Sequence, residues 1–173
     1  FCGLSGKAWR LKLPLDCRVG CRDGILLNLF EFLGCIISIW VEILSGCVPP
    51  GSCLLAQGDS TLAAGWLWKS NFAEHSHPLQ LEAARHFAFL LLDAQVLLFS
   101  QWFPGKANGL SDFLSRDTHL SDEELTLLCR SSIPFQVPQN LDICPLPPAV
   151  SSWVTSLLRS QPLIKESNKV PTR

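Results

Sequence analysis

QWFPGKANGLSDFLSRD, residues 101–117, closes an apolar run, breaks at Pro104-Gly105 and restarts as a short helix from about Gly109 to Arg116. The run Val96 to Phe103 reads as a strand, so the segment is a strand, a Pro-Gly turn and a helix with Asp112 near its start. Before it, Pro78 suits the first turn of a helix running to about Asp93. The polar stretch Asn71 to His77 is expected to be a loop.

Further upstream, Cys53-Leu54-Leu55-Ala56 follows the turn signal Pro49-Pro50-Gly51 and predicts a buried strand that stops at Gly58-Asp59-Ser60-Thr61. Ser60 or Thr61 then caps a helix with Ala63, Ala64, Trp66 and Leu67 in its body. From Ile25 to about Ser45 apolar residues crowd all faces, with Glu31 and Glu42 the only charges, and the length predicts a helix packed on a sheet and ended by Gly46. KAWRLKL, Lys7 to Leu13, alternates as a half-buried strand does before Pro14, and a loop follows to Gly24.

Downstream, Ser121-Asp122-Glu123-Glu124 opens a helix to Arg130, its acids at the positive end of the dipole. Ile133 to Pro148 carries five prolines and reads as an extended linker, Ala149 to Arg159 as one more helix, and the last dozen residues as disordered. The order predicts an α/β domain, helices flanking a mixed sheet, over residues 1–117, with a helical and Pro-rich extension over 118–173.

Composition agrees with one core: of 173 residues, 47% are hydrophobic and 17% charged. The chain starts at Phe1 and has no Met and no Tyr, so it is expected to be a fragment. A net charge of −1 gives no broad electrostatic footprint for phosphate backbones, which predicts weak binding by the isolated chain. The eight cysteines contain no C-x-x-C pair; Cys17-x-x-x-Cys21 has no matching second pair, so neither zinc nor a disulfide framework is expected. Reduced thiols in an intracellular protein fit better, in either a cytoplasmic particle or the nucleus. No membrane span is expected, because Glu31 and Glu42 bound the uncharged run Phe32 to Val41 and Asp93 interrupts His86 to Phe99.

Three carboxylates stand where a metal site could be assembled: Glu31 early in the apolar helix, Asp59 at a strand end and Asp112 near the start of the late helix. Each has an ordinary reading. Glu31 can point outward or pair with Arg85, Asp59 can serve as a turn or cap residue, and Asp112 can be solvated.

LNLFEFLG at 27–34, LLAQGDSTLAAGWL at 54–67 and QWFPGKANGLSDFLSRD occur in an order that resembles the ribonuclease H domain following reverse transcriptase in retroelements. The resemblance covers Phe1 to Asp117, and the third piece is the most specific. The Pro-rich stretch and the helix after it look like the connector in elements with a downstream tyrosine recombinase. What the resemblance implies is metal-dependent hydrolysis of the RNA strand of RNA–DNA hybrids, using two magnesium (or manganese) ions held by four carboxylates. Glu31, Asp59 and Asp112 would be catalytic metal ligands, and Lys69, Arg85, Lys106 and Arg116 phosphate contacts or ordinary surface charges. Trp66, Trp68 and Trp102 are expected in the core. The family's first catalytic aspartate, on its first strand, would precede Phe1, and Asp16 and Asp23 are misplaced to replace it. The chain is therefore expected to be inactive alone. The alternatives are a catalytically dead remnant and a helical interaction module.

Overall fold

The computed structural model describes residues 1–12, 27–69 and 78–160. The loop ending at Gly24, with Asp16, Asp23, Cys17 and Cys21, lies outside the described residues, as do the 71–77 loop and the C-terminal dozen. The elements are β1 (Lys7–Ala8), α1 (Leu27–Leu44), β2 (Cys53–Gly58), α2 (Thr61–Lys69), α3 (Pro78–Ala94), β3 (Leu97–Trp102), α4 (Gly109–Arg116), α5 (Asp122–Ser132), β4 (Asp142–Ile143) and α6 (Pro148–Ser160). The chain is α/β. Its described strands make two separate two-stranded parallel sheets, β1 with β4 and β2 with β3, where one mixed sheet was expected.

Helix α1 is apolar on all sides because it serves two cores. Leu29, Phe32, Leu33, Ile36 and Ile39 pack with α2, α3 and Leu157 of α6, whereas Ile37 and Val41 pack with Cys2, Val150 and Val154. Glu31 and Glu42 fall inside this 18-residue helix, yet with a mean hydropathy of 1.8 it is by length and composition alone long and apolar enough to cross a membrane. Glu42, not Glu31, is the buried acid, only 5% exposed. Its Oε1 accepts the backbone N–H groups of Leu4 at 2.7 Å and Ser5 at 3.0 Å. Two such bonds offset part of the cost of removing a carboxylate from water and fasten the N-terminal turn to the helix.

β2 and β3 pair in register from Cys53↔Leu97 to Gly58↔Trp102, joined by α2 and α3 as a parallel crossover. The inner face presents Leu54, Ala56 and Leu98 to the α1 core. On the outer face Cys53, Leu55, Gln57, Leu97, Phe99 and Gln101 are exposed. Trp68 and Trp102 are exposed too, contrary to the core placement expected of them: Trp68 rests on Phe99 with centroids 5.2 Å apart, and Trp102 caps the strand end. Trp66 does pack on the core, edge to face with Phe32.

A further core joins Ala8, Leu110, Leu114, Leu125, Cys129 and Leu141. The stretch read as an extended linker is part of it, for Ile133, Val137 and Ile143 all pack there. Prolines permit this because the two donors that pair with β1, the N–H groups of Asp142 to the Gly6 carbonyl and Cys144 to the Ala8 carbonyl, belong to non-proline residues. Gly6 has φ +74°, and a Cβ there would lie 2.5 Å from the Asn140 carbonyl oxygen, so only glycine fits. β1 is shorter than the alternation suggested, because Trp9 already leaves the pairing for the α1–α6 core. Ser121 closes the start of α5 with a reciprocal bond to Glu124.

Arg10 ties these parts together. Its guanidinium donates to the carbonyls of Asp117 at 3.4 Å and Leu120 at 3.1 Å and pairs with the Asp122 carboxylate. Arg10→Ala is expected to cost about 1.5–3 kcal/mol, the range for hydrogen bonds to a charged group in a partly buried setting. The exposed Arg116–Asp112 pair should be worth less than about 0.5 kcal/mol. Urea midpoints of the two alanine variants compare them directly, and equal midpoints would refute the clamp.

Candidate functional site

The carboxyl ends of β2 and β3 meet the amino ends of α1, α2 and α4, an arrangement of parallel strands that leaves polar groups converging at one edge. At α1, the Ser60 hydroxyl donates to Asn28 Oδ1 at 3.4 Å, and the same hydroxyl accepts the Ala63 N–H at 3.2 Å to start α2. At β3, the Trp102 indole N–H donates to the Asp59 carbonyl at 3.0 Å.

Asp59 is exposed, directly after β2. Its Oδ1 accepts Asn108 Nδ2 at 3.1 Å. Gly105 comes so close that a Cβ there would lie 3.2 Å from Asp59 Oδ2, which is the close approach a glycine permits in the Pro104-Gly105 turn. Glu31 is half-buried, one helical turn before Cys35. The Cys35 thiol lies beside Gly58, 4.0 Å from the position of a Cβ on that residue. Burial pushes this thiol up to about 11, the Phe1 amine opposes the shift, and the carboxylates of Glu31 and Asp59 add to it. Both acids thus bear electrostatically on one half-buried thiol. The Phe1 amine, itself lowered by burial, is within electrostatic reach of Cys35, Cys2 and Glu42.

Asp112 sits in the first turn of α4, where its N–H bonds to the Asn108 carbonyl at 3.1 Å and its carboxylate pairs with Arg116 at 3.2 Å. Asn108 therefore touches both Asp59, through its side chain, and the turn that carries Asp112, through its backbone. Asp59 and the turn that carries Asp112 are joined by way of Asn108, whereas Glu31 is related to Asp59 only through the electrostatics of Cys35. Among the described residues no group of three or more His, Cys, Asp or Glu side chains could hold a metal ion. No Glu31–Arg85 pair forms, and Arg85 is exposed on α3. Lys69 and Lys106 are exposed, Lys106 in the turn that packs on Asp59.

No family model, curated protein or solved structure matches the chain.

Asn108, which holds Asp59, lies inside the 101–117 stretch, and nothing in that stretch alone shows that its side chain reaches back to the end of β2. Its spacing of four residues from Asp112 was the available signal. Cys35 carried none beyond its place one turn after Glu31.

Proposed function

We propose that the carboxyl edge of β2 and β3 is the acidic site of a ribonuclease H-like hydrolase acting on the RNA strand of RNA–DNA hybrids, incomplete in this chain. One observation carries the reading: the Asp59 carboxylate at the end of β2 is held by the Asn108 side chain, and the Asn108 carbonyl accepts from the N–H of Asp112 in the first turn of α4. The finer fold assignment, a ribonuclease H-like sheet lacking its first strand, rests on the same sequence resemblance. In this reading Glu31, Asp59 and Asp112 would supply hard oxygen ligands on being drawn together, Asp112 giving up its pairing with Arg116, and Asn108 keeps the Asp59 carboxylate aimed. Lys106 and Lys69 offer donors to the phosphates. Magnesium or manganese, when bound, supplies the positive charge that activates water and stabilises the leaving oxygen. The natural setting would be a polyprotein with a reverse transcriptase upstream and a tyrosine recombinase downstream.

A second reading, a catalytically dead remnant or an interaction module, is favoured by the Asp112–Arg116 pairing and by the lack of a three-ligand group among the described residues. A hybrid-cleavage assay with magnesium decides between them. It is run on this chain and on one extended upstream through an acid-bearing strand. Cleavage by the extended chain alone is the expected result. Equal activity in both would sink the claim of incompleteness, and activity in neither would favour the second reading.

A further inference from the structure

Three rings meet where α1, α3 and α6 pack. The His86 imidazole on α3 stacks on Trp153 of α6, with centroids 4.4 Å apart and planes 22° apart, and lies 4.7 Å from Trp40 of α1. Trp40 and Trp153 touch edge to face at 5.6 Å, so the imidazole shares a closed aromatic triangle with them. Its Nε2 is buried and has no hydrogen-bond partner among the described residues. Trp153 belongs to the same helix as Val150, Val154 and Leu157, the fully packed residues that seat α6.

A neutral imidazole suits this place, since its stacked ring loses little on leaving water. A proton on Nε2 would be buried without an acceptor. The cost of a buried unsatisfied charged group exceeds the roughly 1–3 kcal/mol of a neutral one. Attraction of the cation to two indole faces returns about 0.5–2 kcal/mol, less than that cost. No charge compensates it among the described residues. Glu82, Arg85 and Asp93 on α3 are exposed, as is Arg159 of α6; Glu42 of α1 accepts the Leu4 and Ser5 amides through Oε1 while its Oε2 is buried without a partner among the described residues, and burial alone, with no charge of Glu42 or any other group, acts on the His86 imidazole. We propose that His86 is a proton-operated latch: neutral, it holds α6 against α1 and α3 through Trp153 and Trp40, and protonated, it releases that helix.

Burial holds the His86 imidazole below its ordinary value of 6.5. A folded value below the unfolded one means the neutral form is preferred in the docked state. The latch's contribution is therefore complete above about pH 6.5, declines as pH falls below it, and levels off once the folded value is passed. Each unit of difference weakens docking about tenfold.

The test follows the His86 ring protons and the Trp153 indole by NMR from pH 8 to 5, together with hydrogen exchange of the 148–160 amides corrected for intrinsic rates. Expected in the wild-type chain is a His86 midpoint below 6.5 and a several-fold or greater loss of α6 protection across it. His86→Phe, which keeps a ring but cannot take a proton, should show flat protection over the same range. A midpoint above 6.5 would overturn the proposal, because the indoles would then be holding the cation. So would an unchanged pH profile in His86→Phe. Should that variant fail to fold, the wild-type midpoint and protection decide alone.

Discussion

Phe32→Ala is expected to destabilise the chain by about 3–5 kcal/mol, the largest single loss available in this core. Phe32 is 1% exposed at the centre of the cluster formed by α1, α2 and α3, and its ring meets Trp66 edge to face at 5.7 Å. Truncation removes the transfer free energy of the ring and leaves a cavity. It also forfeits an aromatic pair worth about 0.5–1.5 kcal/mol beyond its area. Small domains hold only about 5–15 kcal/mol in total, so the variant should be near the edge of folding at 37 °C. Phe32→Leu keeps most of the volume and should lose far less. Chemical denaturation of the three proteins measures the series, and a loss under about 1 kcal/mol for the alanine variant would show that the core closes over the gap.

Asp59→Asn, made in the upstream-extended chain, is expected to lower metal-dependent cleavage by about 10²–10³-fold. That is the factor for losing roughly 3–4 kcal/mol of charge stabilisation at the reacting phosphate. The fold should be untouched, because Asp59 is exposed and its backbone carbonyl, which the Trp102 indole uses, remains. Asn108→Leu should cost less, about 10–100-fold, the range for a residue that orients a ligand without being one. Single-turnover cleavage with a magnesium titration separates the two. Full activity in Asp59→Asn would remove this residue from the mechanism and with it the reading of the β2 end as the acid site.

Local signals in the sequence located the helices well. Pro78 does open α3, Ser60 does start α2, Gly46 does end α1 with φ +76°, and Ser121 with Glu124 does cap α5. These are short-range devices, set by a residue's own backbone preferences or by a partner within a few positions. Long-range pairings were not legible. Nothing in KAWRLKL says that Ala8 pairs with Ile143, and nothing in the Pro-rich stretch says that Leu141 is buried. Proline content signals only that donors are missing, not that the remaining apolar residues have a core to join.

The candidate site was legible to the same degree. Glu31, Asp59 and Asp112 stand out by position in the sequence, and in the structure Asn108 links Asp59 to the turn that carries Asp112. Which acid on α1 is buried is not legible in the sequence, because Glu31 and Glu42 look alike on an apolar helix. The difference lies in the turn at Leu4 and Ser5, far away in the chain.

The pairing of β1 with β4 has a consequence for synthesis. The Asn140 side chain donates to the Ser5 carbonyl across 135 positions, and the strand bonds beside it span similar distances. At about 5–20 residues per second, the N-terminal strand waits roughly 7–27 s on the ribosome before its partner exists. Until then Ala8, Leu110 and Leu114 have no complete core to enter, while β2, β3 and the helices between them can close as a local unit. A nascent chain arrested before residue 140 should therefore fold its β2–β3 half first and leave its beginning open to chaperones.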